Sequence, residues 1–412
     1  MSEISGRVAE AVREFYEEHP YPPPIEDLDG YRQSWEDLGR RRAEYHLLWP
    51  GAPYREDRSV LVAGCGTSQA AKHALRWPQG TVVGVDFSAT SIGSTEKLKR
   101  RYGLDNLELH ALPIERVGEL GHGFDHIVCT GVLHHLADPD VGLSALREVL
   151  EPGGTMSLMV YAPYGRAGIY LLQDYCRRLG LGTSPAAIAD LGSSLRALPP
   201  DHPIVPLLRD SPDFESEVGL ADALLNPRDR AYSVPELLAF LERNGLRLGR
   251  WVRQAPYLPF CGALLNSPHQ PLLANLPANE QYAALELFRG TMMRHSAIVY
   301  RADESSEPQP IRFEGDEWLD YVPIRLARTI CVEERLPPTA AGVLINPAHS
   351  YRDLYLPIDA VQKRQFEAID GSRSIGEIAT TSGQRQIART LFERLWWYDQ
   401  VVFAIQSCAS RS

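Results

Sequence analysis

Four groups of residues in this chain have the types and spacing that chemistry needs. Gly64-Cys65-Gly66 comes directly after an apolar, β-branched run and just before a stretch of helical character. A strand, a glycine turn and a helix in succession aim backbone N–H groups at a ligand at the helix N-terminus. Glycine suits such a turn because a Cβ would obstruct both the bend and the approaching ligand. Asp86 stands twenty residues beyond Gly66, at the end of Thr81-Val82-Val83-Gly84-Val85. A carboxylate there can accept hydrogen bonds from paired hydroxyls. His134-His135 follows another apolar run, and histidine titrates near neutral pH, so either could act as a general base. Tyr161 and Tyr164 close a later apolar run and could orient a reacting molecule.

These groups need a scaffold, and the pattern between them supplies one. Ser59–Ala63, Thr81–Asp86, Asn106–Ala111, Phe124–Thr130 and Thr155–Tyr161 read as five strands. Helical stretches separate them at Gln69–Arg76, Ser88–Tyr102 and Val141–Leu150, the last closed by Glu151-Pro152-Gly153-Gly154. Such alternation predicts a parallel, doubly wound α/β sheet with ligands at the carboxyl ends of the strands. The alternation stops over 164–231 and resumes with a helix capped by Ser233, with Pro235 in its first turn. Leu246–Gln254 and Ser296–Arg301 then give a sixth and a seventh strand, separated by an irregular stretch at 255–294. The two interruptions read as a substrate cap.

Length and composition set bounds. A chain of 412 residues implies two or three domains. Hydrophobic and charged contents of 44% and 23% are those of a soluble globular protein. A net charge of −11 disfavours non-specific nucleic-acid binding, which needs clustered Lys and Arg. No apolar run reaches membrane-spanning length, and Met1–Glu18 is charged rather than signal-like. Six dispersed cysteines, with no C-x-x-C pair, suggest neither a zinc site nor a disulfide framework and point to a cytoplasmic location.

Taken in order, G-C-G, V-V-G-V-D, F-D-H-I-V-C-T-G-V-L-H-H-L and L-E-P-G-G-T-M-S-L resemble the class I S-adenosylmethionine-dependent methyltransferases, of the bacterial type 11/12-like groups. The likeness covers Ser59–Tyr161. A dinucleotide-binding Rossmann domain would want a third glycine where Gln69 stands. The resemblance implies that S-adenosyl-L-methionine is the cofactor. Ala63, Gly64, Cys65 and Gly66 would pass its methionine part, Asp86 its ribose hydroxyls, Phe87, Ala111 and Leu112 its adenine, and Thr130 and Gly131 its methyl end. His134, His135 and Tyr161 would stand nearest the reacting centre, and no metal is implied. The chain departs from the family pattern at Val62, Ser68 and His110, where an acid, a glycine and an acid are common. The cofactor's amino group must therefore find partners elsewhere, for example in the N-terminal strap.

The expected organisation is a helical, proline-rich strap over 1–55, a methyltransferase domain over 56–303 and a C-terminal α+β domain over 304–412. The strap carries F-Y-E-E-H-P-Y-P-P-P and the solvated run Arg40-Arg41-Arg42; the insertions fall at about 164–231 and 255–294. Residues Asp303–Pro310 read as a linker. The last domain resembles the winged-helix modules that accompany peptide-modifying enzymes. Glu367, Asp370 and Glu377 among its helices favour protein or peptide contact, packing or homodimerisation over DNA. The expected acceptor is a small molecule, a peptide or a protein. The competing expectation is a cofactor-binding, non-catalytic scaffold or regulator acting through the last domain.

Overall fold

The computed structural model describes residues 3–303 and 310–405. The expected linker, apart from its two end residues, lies outside them, as does Cys408. The chain divides into two compact units: Met1–Arg32, Glu56–Leu248 and Glu286–Asp303 form one, and Gln33–Arg55, Gly249–Leu285 and Glu304–Ser412 the other.

The first unit opens with α1 (Glu3–Glu18) and takes in the start of α2 (Asp29–Trp35), whereas α3 (Leu38–Leu48) belongs to the second. Its core is built from β1 (Ser59–Ala63), α4 (Gln69–Arg76), β2 (Thr81–Asp86), α5 (Ala89–Tyr102), β3 (Leu107–Ala111), β4 (Phe124–Thr130), α6 (Pro139–Glu148) and β5 (Leu150–Tyr161). Val60, Leu61, Val82, Val83, Ile127 and Met156 are fully buried, as expected of strands covered on both faces. Helices α5 and α6 start on the side-chain caps Ser88 and Asp138, and Gly103 ends α5 in a left-handed conformation.

Four helices form the first insertion: α7 (Ala167–Leu179), α8 (Pro185–Leu195), α9 (Val205–Asp210) and α10 (Glu217–Leu225). Ile169, Leu172, Ile188, Leu191, Ile204, Leu220 and Leu224 pack there with Phe15 of α1, so strap helix and cap share one apolar cluster. Next come α11 (Val234–Arg243), with the capping box of Ser233 and Glu236, and β6 (Leu246–Trp251). The second insertion carries α12 (Gln270–Ala274) and α13 (Ala278–Arg289) and leads into β7 (Arg294–Arg301).

The seven strands stand in the order β3-β2-β1-β4-β5-β7-β6, the Rossmann-like methyltransferase arrangement. Strands β1 to β5 pair in parallel, but β7 enters between β5 and β6 and runs antiparallel to β5. The all-parallel sheet implied by simple alternation is therefore corrected at this edge. Strand β5 also begins earlier than its turn signal suggested. A register shift between Phe124 and His126 loops the Pro152–Gly154 turn out of the ladder instead of ending it.

In the second unit β8 (Tyr321–Arg325) pairs antiparallel with the last strand, β12 (Val401–Ile405). Between them come β9 (Ile330–Val332), β10 (Gly342–Ile345) and β11 (Tyr355–Ile358) in a separate three-stranded sheet, then α14 (Ala360–Glu367), α15 (Ile375–Ile378) and α16 (Ser382–Trp397). Ala43 of α3 packs on Val322, Ile324 and Val402. Trp396 lies 5.9 Å from Phe403, and Trp397 stacks on Phe260 at 5.0 Å. No helix among the described residues is long and apolar enough to cross a membrane.

Candidate active site

The carboxyl ends of β1 to β5 bring Ala63, Asp86, Ala111, Thr130 and Tyr161 to one edge of the sheet. The glycine loop grows from the first of them. Gly64 and Cys65 donate their N–H groups to the Val85 carbonyl at 2.9 and 3.0 Å, which folds the loop back over β2. A side chain at Gly64 (φ +66°) would come within 2.4 Å of Val132, so this glycine makes room for the turn after β4. Gly66 (φ +53°) differs. A Cβ there would meet only Pro22 and the Tyr21 carbonyl, each at 3.6 Å, so the space above it is bounded by the strap. The strap is pinned there by Thr67 Oγ1, which donates to the Pro22 carbonyl at 2.8 Å. Cys65 is fully buried, and burial pushes its thiol well above the ordinary range, leaving it a small hydrophobe.

Asp86 lies beneath the loop. Its Oδ2 accepts the Gly66 N–H and its Oδ1 the Ser88 N–H, both at 2.9 Å. Burial raises its carboxyl, while these two N–H groups pull the other way. Leu112 N donates to the Asp86 carbonyl at 2.9 Å, so the start of the loop after β3 sits beside the carboxylate. Phe87 is half-buried with its ring 6.3 Å from Tyr16 of α1, and Ala111 and Thr130 are exposed. Glu17, next to Tyr16, accepts the N–H groups of Ala89 and Thr90 at the start of α5, a charge at the favourable helix end.

The two histidines are separated by their surroundings. His134 is fully buried, neither ring nitrogen has a hydrogen-bond partner, and burial holds its pKa well below the usual value. Its ring centroid lies 3.9 Å from that of Tyr161. His135 Nδ1 lies 2.5 Å from the Arg228 carbonyl, an acceptor only. Nδ1 therefore carries the proton, and Nε2 of the neutral ring holds the lone pair.

Around these lie further residues, of which the sequence marked only Tyr16, as an aromatic of the strap. Tyr16 donates its hydroxyl to Asp222 Oδ1 at 2.9 Å and accepts from Asn226 Nδ2 at 3.0 Å. Arg166 donates to Asp229 at 2.8 Å and to the Tyr170 hydroxyl at 3.2 Å, with its guanidinium 3.5 Å over the Tyr161 ring. Gln173 also donates to Asp229, at 3.1 Å. Residues 226–232 run alongside: Arg230 N reaches the His134 carbonyl and Tyr232 N the Tyr161 carbonyl. The signal for this group in the sequence was the strap motif F-Y-E-E-H-P-Y-P, which contains Tyr16.

A model of the methyltransferase domain matches residues 61–156. Trans-aconitate 2-methyltransferase of Deinococcus radiodurans is 32% identical over 187 residues, covering 41% of this chain and 69% of that protein. The chain belongs to the S-adenosylmethionine-dependent methyltransferases. A further relative, an uncharacterised protein of Synechococcus sp., is 29% identical over 256 residues; the match takes in 58% of this methyltransferase but only 59% of the relative's length. In fold, the methyltransferase is similar to PKMT2 from Rickettsia typhi, solved in complex with AdoHcy, with a TM-score of 0.63 and 18% identity over 94% of this chain and 78% of that one.

S-adenosylmethionine is the cofactor, and the loop fits it on its own geometry. A carboxylate has about four lone-pair sites. Within the protein Asp86 takes the Gly66 and Ser88 N–H groups, with that of Phe87 alongside, which leaves acceptor capacity for a hydroxyl group. Ser68 Oγ, at the end of the loop, is buried without a partner, a further polar atom that the fold itself leaves unsatisfied.

Proposed function

We propose that this methyltransferase moves the sulfonium methyl group to an acceptor held between the β4 turn, the strap helix and the cap. The observation that carries this reading is Asp86, buried under the Gly66 loop with its two oxygens set by the Gly66 and Ser88 N–H groups. When bound, the cofactor supplies an activated methyl group: the acceptor's lone pair forms the new bond to carbon as the carbon–sulfur pair leaves on sulfur.

The chain's own residues then have four tasks. Asp86, Gly66 and the Ala63–Cys65 backbone bind the ribose and methionine parts, while Phe87, Ala111 and Leu112 flank the adenine. Thr130 and Gly131 line the methyl end. His135 Nε2 takes a proton from a protonated acceptor, its other nitrogen being held on Arg228. Tyr161, fixed between His134 and Arg166, orients the acceptor, and the strap excludes water. We read the site as cytoplasmic, and the C-terminal unit as a winged-helix-like packing or partner-contact module. A small molecule or an amino-acid side chain suits the acceptor space better than nucleic acid, given the net charge of −11.

Calorimetry with S-adenosylmethionine and S-adenosylhomocysteine tests the reading. Binding of both is expected, and binding of neither overturns it. Release of S-adenosylhomocysteine with an acceptor present excludes a merely scaffolding role.

A further inference from the structure

The acceptor side contains a small cavity whose charged lining residues are Arg166 and Asp222. Tyr21, Tyr161, Phe214 and Met293 supply much of the remaining wall. The two charges are not equivalent. Arg166 is answered within the fold: Asp229 takes its Nη2, Tyr170 its Nε, and its flat face lies on Tyr161. Asp222 is only 6% exposed, yet no cation is paired with it among the described residues. Both hydrogen bonds that it receives, from Tyr16 and Asn226, go to Oδ1, at 2.9 and 3.3 Å. No described residue donates to Oδ2.

A buried carboxylate is costly unless its charge is met, so natural sites either pair it or use it. The groups with charge or titration around Asp222 are Tyr16, His135 and Arg166. Tyr16 is a neutral donor, and Arg166 is committed to Asp229. Burial pushes the Asp222 carboxyl up, while His135, the Tyr16 and Asn226 hydrogen bonds and Arg166 act in the other direction. The cavity thus carries a buried carboxyl with no ion-pair partner among the described residues, and Tyr21 stands in the same lining, an aromatic ring of the kind that attracts cations.

We propose that the acceptor is an alkylammonium ion, with Asp222 Oδ2 as its counter-ion and the Tyr21 ring beside its charge. This rests on the methyl-transfer reading above and names its substrate class. An ammonium nitrogen has no lone pair until it loses a proton, and His135 Nε2 is the acceptor for that proton.

The test is a titration of the full chain, in the presence of S-adenosylhomocysteine, with n-butylammonium and with n-butanol as its neutral counterpart. The ammonium is expected to bind at least tenfold more tightly than the alcohol, and Asp222→Asn should abolish that preference. A short peptide with one lysine, titrated against its norleucine counterpart, forms a second arm. A tenfold preference in either arm supports the assignment and tells a small amine from a side-chain amine. Equal binding of charged and neutral probes in both arms overturns it, as does a preference that survives Asp222→Asn. The wild-type comparison needs no variant to fold. Binding of S-adenosylhomocysteine, measured in the same samples, keeps the two readings apart. If it binds and the ammonium preference is absent, only the acceptor class falls; if it does not bind, the methyl-transfer reading falls.

Discussion

The two ends of the site are built in opposite ways. At the cofactor end, the binding groups come from strand ends and the loops directly after them, and backbone amides do much of the work. Asp86 is held by N–H groups of its own loop and of the neighbouring one. At the acceptor end, side chains from α1, the β4 turn, α7, α10 and the 226–229 segment hold one another: Tyr16 with Asp222 and Asn226, Arg166 with Asp229 and Gln173. A backbone cradle depends on fold and a few glycines. A side-chain network depends on every member, because removing one strands another in a low-dielectric interior. The acceptor end should therefore be the more fragile of the two and the freer to change specificity.

The largest effect that bears on this contrast is expected within the histidine pair. Replacing His135 by Gln should lower kcat by about 10²–10⁴-fold for an acceptor that must lose a proton. Replacing His134 by Leu should leave kcat within a few fold and stability within about 1 kcal/mol. It removes two nitrogens that have no partners, and an apolar group of similar size in such a place is close to neutral. Steady-state rates and denaturant midpoints for both variants check this. Equal losses in rate would end the distinction between them.

Next in size is Asp229→Ala. The side chains of Arg166 and Asp229 are 8% and 1% exposed, and breaking such a pair leaves a guanidinium buried without its partner. A loss of about 3–5 kcal/mol in unfolding free energy is expected, read from urea denaturation. A loss under about 1 kcal/mol would show that the acceptor end is not the fragile one.

Asp86→Ala probes the other end. It should weaken S-adenosylhomocysteine binding by about 1–3 kcal/mol through lost charge-assisted hydrogen bonds, as measured by calorimetry. Unchanged affinity would mean that the backbone cradle carries the cofactor without the carboxylate.

The same contrast explains what could be read from the sequence. The cofactor end was legible because its parts are local: Ser59–Ala63 with Gly64 and Gly66, then Asp86, each at a strand end whose hydrophobic pattern is plain. The reason for Gly64 was not legible, since Val132, which fills its missing side chain, comes from a distant turn. Nor was the antiparallel β7, because strand direction leaves no trace in periodicity. The acceptor end was largely hidden. Tyr16 could be read only as one aromatic of a strap, and Asp222 sits in a mostly apolar helix, E-V-G-L-A-D-A-L-L, where nothing local marks it as a site residue. Long-range side-chain networks have no spacing rule, so tertiary structure alone reveals them.

The smallest expected effect asks whether the two ends are separate at all. Tyr16→Phe removes one hydroxyl and leaves Asp222 Oδ1 with Asn226 alone, at 3.3 Å. A stability loss of about 1 kcal/mol is expected for that hydrogen bond. The more telling readout is where binding changes. Tyr16 belongs to the acceptor network, but Glu17 beside it caps α5, and the Tyr16 ring stands 6.3 Å from Phe87 at the cofactor end. If the ends are independent, the variant raises KM for the acceptor and leaves S-adenosylhomocysteine affinity unchanged. If α1 transmits between them, both shift, and the coupling measured with Glu17→Gln in a double-mutant cycle exceeds about 0.5 kcal/mol. In that case the strap helix is shared by both ends, because the residues that complete the acceptor network and fix the start of α5 are adjacent on a single helical turn.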